Sequence, residues 1–321
     1  MIRHRGGAVQ SSQRLDLASI RHPWERVVFW LSVLANVSVI ACAATLIYFV
    51  PEWLSTHARV SALVDRIRLA AIPVLLLLPL IGVLRHGHWA AFRENSVRLE
   101  RDQVPSIFSI LERHCQTLGV DPPELYASTL KRVELSTALQ FTRGRQIIVL
   151  GPGLFAGLKR IHDRADVLAF VLASELGRLA LGHANWWMDL VLGYLKRIPL
   201  LRAPLLTVQT ASRDRFAATL SPEGIRALVL AAVGGDLLDH VDTAKFIRQA
   251  LRADTPPFWA WVGKLGLDGP HIAQRVRSLH RAGFLRGQRD ADFASGFDDA
   301  LAAGHGSTES VDEPRHPPTS H

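Results

Sequence analysis

The sequence predicts an α+β protein in which an N-terminal two-helix transmembrane hairpin carries a mostly helical domain with a small antiparallel sheet. Residues 27–50 form a run of 24 without a charged side chain, and residues 69–84 form a second run of 16. Between residues 85 and 286, short β-branched segments alternate with amphipathic helical segments. The chain of 321 residues is long enough to bury a large core.

Composition excludes several classes of protein. Two cysteines, Cys42 and Cys115, are too few for a disulfide framework or a four-cysteine zinc site. The net charge of +8 is unevenly placed, because residues 287–321 carry −5 and the rest of the chain carries +13. A basic body next to apolar runs suits an anionic lipid surface, so we expect the lipid bilayer as a partner and no nucleic acid.

The two uncharged runs predict membrane spans. At 1.5 Å per residue, the run at 27–50 is long enough to cross a hydrocarbon core of about 30 Å. A cleaved signal peptide is the alternative, but its apolar region would be shorter. The run at 69–84 contains two prolines and is short for a span. A buried core helix is its alternative, although the run has no polar positions.

Arginines flank both spans and predict their orientation. They lie at Arg3, Arg5, Arg14, Arg21 and Arg26 before the first span, at Arg59, Arg66 and Arg68 in the loop, and at Arg85, Arg93, Arg98 and Arg101 after the second span. The two outer flanks hold more arginines than the loop does. This distribution predicts a two-pass protein of the cell membrane with both termini and the bulk of the chain in the cytoplasm.

This topology divides the chain into four parts. Residues 1–26 form a cytoplasmic N-terminal segment, and residues 27–84 form the transmembrane hairpin. Residues 85–286 form the main domain. Residues 287–321 form an acidic tail with few large apolar side chains, which predicts disorder.

Local patterns predict the elements of the main domain. An amphipathic helix is expected over residues 98–118, with His114 at its surface beside the apolar stripe. Strands are expected at residues 124–129, 136–141 and 145–150, and a short helix at residues 151–158. Residues 186–208 read as a helical hairpin that lies on the membrane surface or caps a cleft, with a buried core hairpin as an equal alternative.

Residues 166–181 form the strongest helical segment, and their apolar density predicts a central, buried helix. Three polar residues interrupt it: Ser174, Glu175 and Arg178. A buried glutamate is costly unless it is paired, and Arg178 lies at the i+3 position from Glu175. These residues are therefore either a buried ion pair that fixes helix packing or an active site, working or degenerate.

Four segments resemble the HtpX-like membrane zinc metallopeptidases, relatives of the CAAX prenyl proteases. VLASELGRLALGH (171–183) resembles the helix that carries the family's HExxH motif. ELSTALQFTRGRQIIVLGPGLF (134–155) resembles its NAFATG-strand-GL pattern, and SRDRFAATLSPEGIRALVLAA (212–232) its ADRxAA segment. DGPHIAQRVRSLHRAG (268–283) is similar to the closing HPxxxxRIxxL helix. The resemblance spans residues 27–286 and implies a gluzincin-like metallopeptidase domain.

The zinc ligands that the resemblance implies are replaced. In HExxH, two histidines at i and i+4 bind one zinc ion and the glutamate polarises a water. Ser174 and Arg178 occupy the histidine positions, whereas Glu175 keeps the position of the general base. The family's third ligand lies four residues before the aspartate of ADR; with Asp214 as that aspartate, the ligand position is Thr210.

These departures predict that no metal is bound and that no cofactor is needed. A charge of +1 about 4 Å from a charge of +2 costs roughly 8 kcal/mol at an effective dielectric constant near 20. We expect Arg178 to replace the metal and to pair with Glu175 and Asp214. His183, eight residues after Glu175, resembles the family's additional histidine and is a further cleft candidate.

The leading hypothesis is a catalytically inactive pseudopeptidase that binds membrane proteins or a partner protease through the former substrate cleft. In it, Glu175 is non-functional as a base, because without zinc it has no activated water to deprotonate. The alternative is an active zinc-dependent metalloendopeptidase with a relocated site built from Glu175, His183 and a distant carboxylate. A third possibility is a membrane-anchored scaffold without a functional cleft.

Overall fold

A computed structural model describes residues 16–48, 58–129, 135–140, 145–156, 164–193, 195–252, 256–264 and 269–285. The helices are α1 (Leu17–Ile20), α2 (Glu25–Tyr48), α3 (Ala58–Glu94), α4 (Pro105–Leu118), α5 (Pro152–Phe155), α6 (Ala165–Ala180), α7 (Trp186–Val191), α8 (Pro199–Leu220), α9 (Arg226–Val233), α10 (Thr243–Arg252), α11 (Pro257–Lys264) and α12 (Ile272–Arg281). Short 3-10 turns lie at Leu195–Arg197, Pro222–Ile225 and Leu238–His240. The fold is mostly helical.

Helices α2 and α3 pack against each other and are long and apolar enough to cross a membrane. The apolar part of α3 is Val64–Leu84, which includes the run predicted at 69–84. The helix itself is much longer than the predicted span. It begins at Ala58, continues to Glu94 and contains both prolines. Many of the large apolar side chains of α2 and α3 are exposed, as on a lipid-facing surface.

The sheet is mixed, which corrects the prediction of an antiparallel sheet. It consists of β1 (Ser96–Arg98), β2 (Glu124–Ser128), β3 (Ser136–Gln140) and β4 (Gln146–Leu150), in the order β1-β2-β4-β3. Strands β3 and β4 pair antiparallel as expected, but β2 pairs parallel with β4. Residues Ile147–Leu150 are fully buried, as befits a central strand with both faces covered.

Two further predictions, both about the helix between β1 and β2, are wrong. The helix expected from residue 98 begins at Pro105, because a proline suits the first turn of a helix and disfavours helical geometry in the residue before it. The three-residue strand β1, too short to show alternation, takes the place of the helix start. His114 is buried rather than on the surface, and its Nε2 lies 3.1 Å from the carbonyl oxygen of Ala169.

Helix α6 is the centre of the main core, as its composition predicts. Every residue from Val167 to Gly177 is buried. Helices α4, α8 and α9 and strand β3 all pack against it. Because α6 is covered by neighbours around its whole circumference, its polar side chains are placed inside the protein and need internal partners.

The segment 186–208 joins the first apolar helix to this core. Leu192 and Leu205 are buried in a separate apolar cluster, which Val28, Phe29 and Val33 of α2 complete. Trp186 and Trp187, at the start of α7, are exposed. The hairpin is therefore packed on one side against the first turns of α2 and open on another side. Residues 141–144, which include the end of the second predicted strand, fall outside the described residues, as do Gly157, Leu158 and the tail 287–321.

Candidate functional site

Close packing of α6 against α8 positions the candidate site. A Cβ atom at Gly177 would lie 2.8 Å from Cδ1 of Phe216, so only glycine permits this approach. Ser174 and Glu175 lie within one turn of Gly177, and both are buried. Thr210, on α8, is buried as well. The two helices thus bring three of the predicted site residues, Ser174, Glu175 and Thr210, into the same region of the core.

Glu175 is held from two sides. The hydroxyl of Ser136 on β3 donates a hydrogen bond of 2.9 Å to Oε1 of Glu175. Nη1 of Arg213 on α8 lies 3.9 Å from the same oxygen, an ion-pair distance beyond hydrogen bonding. Oε2 of Glu175 is buried and has no hydrogen-bond partner among the described residues. The carboxylate is therefore only half satisfied.

The predicted pairing of Arg178 with Glu175 and Asp214 is wrong. Nη1 of Arg178 donates instead to the hydroxyl of Thr137 on β3, at 3.2 Å. The side chain of Arg178 is half-buried. Arg213, which the spacing within α6 alone would not reveal, is the cation next to Glu175. The replacement comes from α8 because α6 and α8 are in contact at this level.

Asp214 forms a bidentate ion pair with Arg275 of α12. Nε of Arg275 donates to Oδ2 at 2.8 Å and Nη2 donates to Oδ1 at 2.7 Å. Asp214 is completely buried, and Arg275 retains 18% of its side-chain exposure. Such two-pronged geometry is the strong form of an arginine–carboxylate contact. Both oxygens of Asp214 are occupied, so among the described residues Glu175 is left to balance Arg178 and Arg213.

Electrostatics distinguish Arg213 from Arg275. Burial lowers the pKa of the Arg213 guanidinium from its ordinary value. The charge of Glu175 opposes this, and the neighbouring charge of Arg178 adds to it. In contrast, Asp214 holds the pKa of Arg275 above its ordinary value despite burial. Arg213 and Arg275 lie in one network, but Arg275 is much better paired with a carboxylate than Arg213 is.

His183 belongs to a second buried hydrogen-bond network, which is centred on Glu25. Its Nε2 lies 2.9 Å from Oε1 of Glu25, the first residue of α2. Arg21 and the hydroxyl of Ser212 also donate hydrogen bonds to Glu25. Burial lowers the pKa of His183, although the adjacent Glu25 opposes the shift, so a neutral imidazole donates its Nε2–H. Nδ1 is then a buried acceptor without a partner in the described part of the chain.

The sequence reasoning missed Glu25, Ser212 and Arg213. A lone acidic residue at the beginning of a long uncharged run was a signal for Glu25, since an unpaired charge there is costly. Arg213 and Ser212 precede Asp214 directly, but no rule of spacing connects α8 with α2 or β3. These contacts exist only once the helices have packed.

The residues at the matched ligand positions do not fit a zinc ion. They supply a hydroxyl at Ser174, a guanidinium at Arg178 and a hydroxyl at Thr210, whereas zinc takes thiolate, imidazole or carboxylate ligands. Arg213 adds a second cation beside Glu175. Among the described residues, the structure brings together no group of three histidine, cysteine, aspartate or glutamate side chains able to hold a metal ion.

Comparisons with known proteins found no relative for this arrangement. No family model, no curated protein and no solved structure matches the chain.

Proposed function

We propose that the chain is a membrane-anchored, catalytically inactive relative of the HtpX-like zinc metallopeptidases that binds membrane proteins or a partner protease. One observation carries the proposal: Glu175, at the position of the family's general base, lies beside Arg213 in a region that also contains Arg178. Arginines are permanent cations and stand where a divalent cation would be expected.

The contact between two distant segments supports the family relationship. Asp214 belongs to the segment that resembles ADRxAA, and Arg275 belongs to the segment that resembles HPxxxxRIxxL. The structure joins these two charged residues in one buried ion pair. Two segments matched independently to family motifs therefore meet at their central charged residues, next to the helix that resembles HExxH.

The proposal of inactivity follows from the chemistry of Glu175. A glutamate acts as a base in peptide hydrolysis when a metal ion lowers the pKa of the water that it deprotonates. In this chain Ser136 and Arg213 face Oε1, and neither activates water. Each arginine opposes a divalent ion by roughly 8 kcal/mol at about 4 Å and an effective dielectric constant near 20.

Strand β3 offers a means of binding an extended segment of another protein. It is the last strand in the described sheet and pairs there only with β4. Ser136 and Thr137 of β3 contact Glu175 and Arg178, so the strand lies directly against the degenerate site. Addition of a peptide as a further strand is a common mode of recognition at such an edge.

We place the protein in the cell membrane as a two-pass protein with its body in the cytoplasm. The arginine-rich outer flanks support this orientation. The cluster of Leu192, Leu205 and the first turns of α2 supports a body that lies directly against the bilayer. A tether that is packed in this way keeps the body of the protein close to neighbouring membrane proteins.

The active alternative has less support from the contacts of His183. It requires His183 and Glu175 to share a metal ion with a distant carboxylate, whereas the recorded partner of His183 is Glu25. A catalytic zinc site takes three protein ligands, and among the described residues no group of three potential ligands comes together. The alternative remains testable by hydrolysis.

Cross-linking and hydrolysis test the proposal together. We expect purified full-length protein to leave casein intact, with no difference between the unaltered chain and Glu175→Gln. We expect photo-cross-links to membrane proteins or a protease from Leu139→benzoylphenylalanine in β3, and far fewer from the exposed Val97→benzoylphenylalanine in β1. Chelator-sensitive hydrolysis that Glu175→Gln abolishes would favour the active alternative. Equal cross-linking from both strands would favour a scaffold without a functional cleft.

A further inference from the structure

The Arg213 cluster, defined as Glu175, Arg178, Arg213, Asp214 and Arg275, carries an excess of positive charge. It contains three guanidinium groups and two carboxylates, all within electrostatic reach of Arg213. Asp214 and Arg275 neutralise each other through two short hydrogen bonds. The remaining carboxylate, Glu175, lies 3.9 Å from Arg213 and is left to balance the charges of both Arg213 and Arg178. One further negative charge would make the cluster neutral.

Arg213 has hydrogen-bond donors to offer to such a charge. Its closest anionic atom, Oε1 of Glu175, is 3.9 Å away, and no hydrogen bond from Arg213 is recorded within the described ranges. The side chain keeps 19% of its surface exposed although burial lowers its pKa. Arg178 uses one nitrogen on Thr137 and is also partly exposed. Guanidinium nitrogens that lack a hydrogen-bond acceptor are the usual binding groups for carboxylates.

Glu175 adds a requirement of the opposite kind. Glu175 is only 4% exposed, and its Oε2 is a buried acceptor that lacks a donor in the described part of the chain. A buried charged acceptor without a donor is costly. A ligand for this place should therefore bring a carboxylate for the arginines and, beside it, an N–H group for Glu175.

We propose that the Arg213 cluster binds the C-terminal residue of a peptide. Arg213 and Arg178 bind its carboxylate, and Oε2 of Glu175 accepts its backbone N–H. The nitrogen and the carboxyl carbon of one residue are about 2.5 Å apart, so a single residue can meet both demands. The preceding residues of the peptide would extend along β3, whose Ser136 and Thr137 border the cluster.

This inference rests on the proposed function and makes it more specific. A pseudopeptidase of this kind would bind chain ends, such as the free C-terminus of a partner or the product of another protease. It would not bind the uninterrupted middle of a chain, because an internal residue brings no carboxylate to Arg213.

A binding assay with peptide pools tests the proposal. Full-length protein in detergent is incubated with a pool of random N-acetylated hexapeptides that end in a free carboxylate, and separately with the same pool ending in a carboxamide. Retained peptides are quantified by mass spectrometry. We expect about tenfold or greater retention of the free acids, the effect of one charge-assisted contact. A third pool, with an N-methylated last residue, is expected to bind several-fold more weakly than the free acids.

Variants assign the effect to the cluster. Arg213→Gln and the partly exposed Arg178→Gln are each expected to abolish the preference for free acids. Arg281→Gln, at the exposed end of α12, is the matched control and should retain the preference. Arg213→Lys keeps the charge and should keep part of the preference, which guards against loss of folding as the explanation.

The outcomes separate this inference from the proposed function. Equal retention of acids and amides by zinc-free protein would overturn the C-terminal site alone. A preference that persists in Arg213→Gln and Arg178→Gln would also overturn it, because the carboxylate would be bound elsewhere. Near-stoichiometric zinc in the same preparation would overturn the proposed function, whatever the peptides do.

Discussion

Nε2 of His183 lies 2.9 Å from Oε1 of Glu25, and this contact joins the turn after α6 to the first residue of α2. Arg21 and Ser212 complete the network, and Nη2 of Arg21 donates to the carbonyl oxygen of Leu181 at 2.8 Å. The first apolar helix is therefore attached to the body by buried polar contacts as well as by apolar packing. A change at this junction should affect the stability of the whole protein.

Substitution of Glu25 tests the importance of the junction. Oε1 of Glu25 accepts from Arg21 and His183, and Oε2 accepts from Ser212. Glu25→Gln removes the charge and turns one of these acceptors into a donor, so we expect the free energy of unfolding to fall by about 2 kcal/mol. The half-exposed ion pair of Glu124 and Arg145 supplies the control: Glu124→Gln should cost no more than about 1 kcal/mol. Thermal unfolding in detergent, followed by tryptophan fluorescence, measures both. Equal losses would contradict a special role for Glu25.

The lowered pKa of His183 predicts a dependence of stability on pH. Burial holds this pKa below 6.5, so between 6.5 and the native value the unfolded chain binds the proton and the folded chain does not. Stability should therefore fall on acidification through this range, by at most about 1.4 kcal/mol per pH unit from this group. His183→Gln keeps a donor for Glu25 and should reduce the slope. The exposed His240→Gln should leave the slope unchanged.

The contact of α6 with α8 predicts intolerance of side chains at Gly177. Its Cβ would lie 2.8 Å from Phe216, so Gly177→Val should lower the free energy of unfolding by about 2 kcal/mol through overpacking. Gly87→Val in α3 is the control, because nothing lies within 4 Å of its Cβ. Denaturation of both variants gives the comparison. A stable Gly177→Val protein would mean that the helices are farther apart than the structure places them.

Restoring the ligands tests whether the scaffold is that of a zinc peptidase. A quadruple variant, Ser174→His, Arg178→His, Thr210→Glu and Arg213→Gln, supplies the ligand set that the resemblance implies and removes both opposing cations. We expect it to bind about one zinc ion per chain, measured after incubation with zinc and dialysis. Ser174→His alone should bind far less, because it supplies one ligand and keeps Arg178. If the quadruple variant binds no zinc, α6 and α8 do not have the geometry of that family.

Much of the fold could be predicted from periodicity and composition. The uncharged run at 27–50 and the dense apolar pattern around Glu175 lead to α2 and to the central α6, because burial or lipid contact dictates both patterns. The parallel pairing of β2 with β4 could not be predicted, since strand composition does not reveal which neighbours meet. The short strand β1 lacks a pattern of its own.

The candidate site was predictable in its residues but not in its partners. Glu175 and Asp214 stand out as acids within apolar segments, and both are buried. Helical spacing pointed to Arg178 as the partner of Glu175, but tertiary packing supplied Arg213 instead. His183 likewise looked like part of the same helix face. It follows Gly182, whose φ of +79° ends the helix and turns the chain towards Glu25.

The central claim, that arginines have replaced zinc beside Glu175, is tested most directly by the metal content of the full-length protein. Elemental mass spectrometry on protein purified without a polyhistidine tag and incubated with zinc gives the number of zinc ions per chain. We predict far less than one. A value near one zinc per chain would contradict the claim and would place ligands around Glu175 or His183 that the described contacts do not provide.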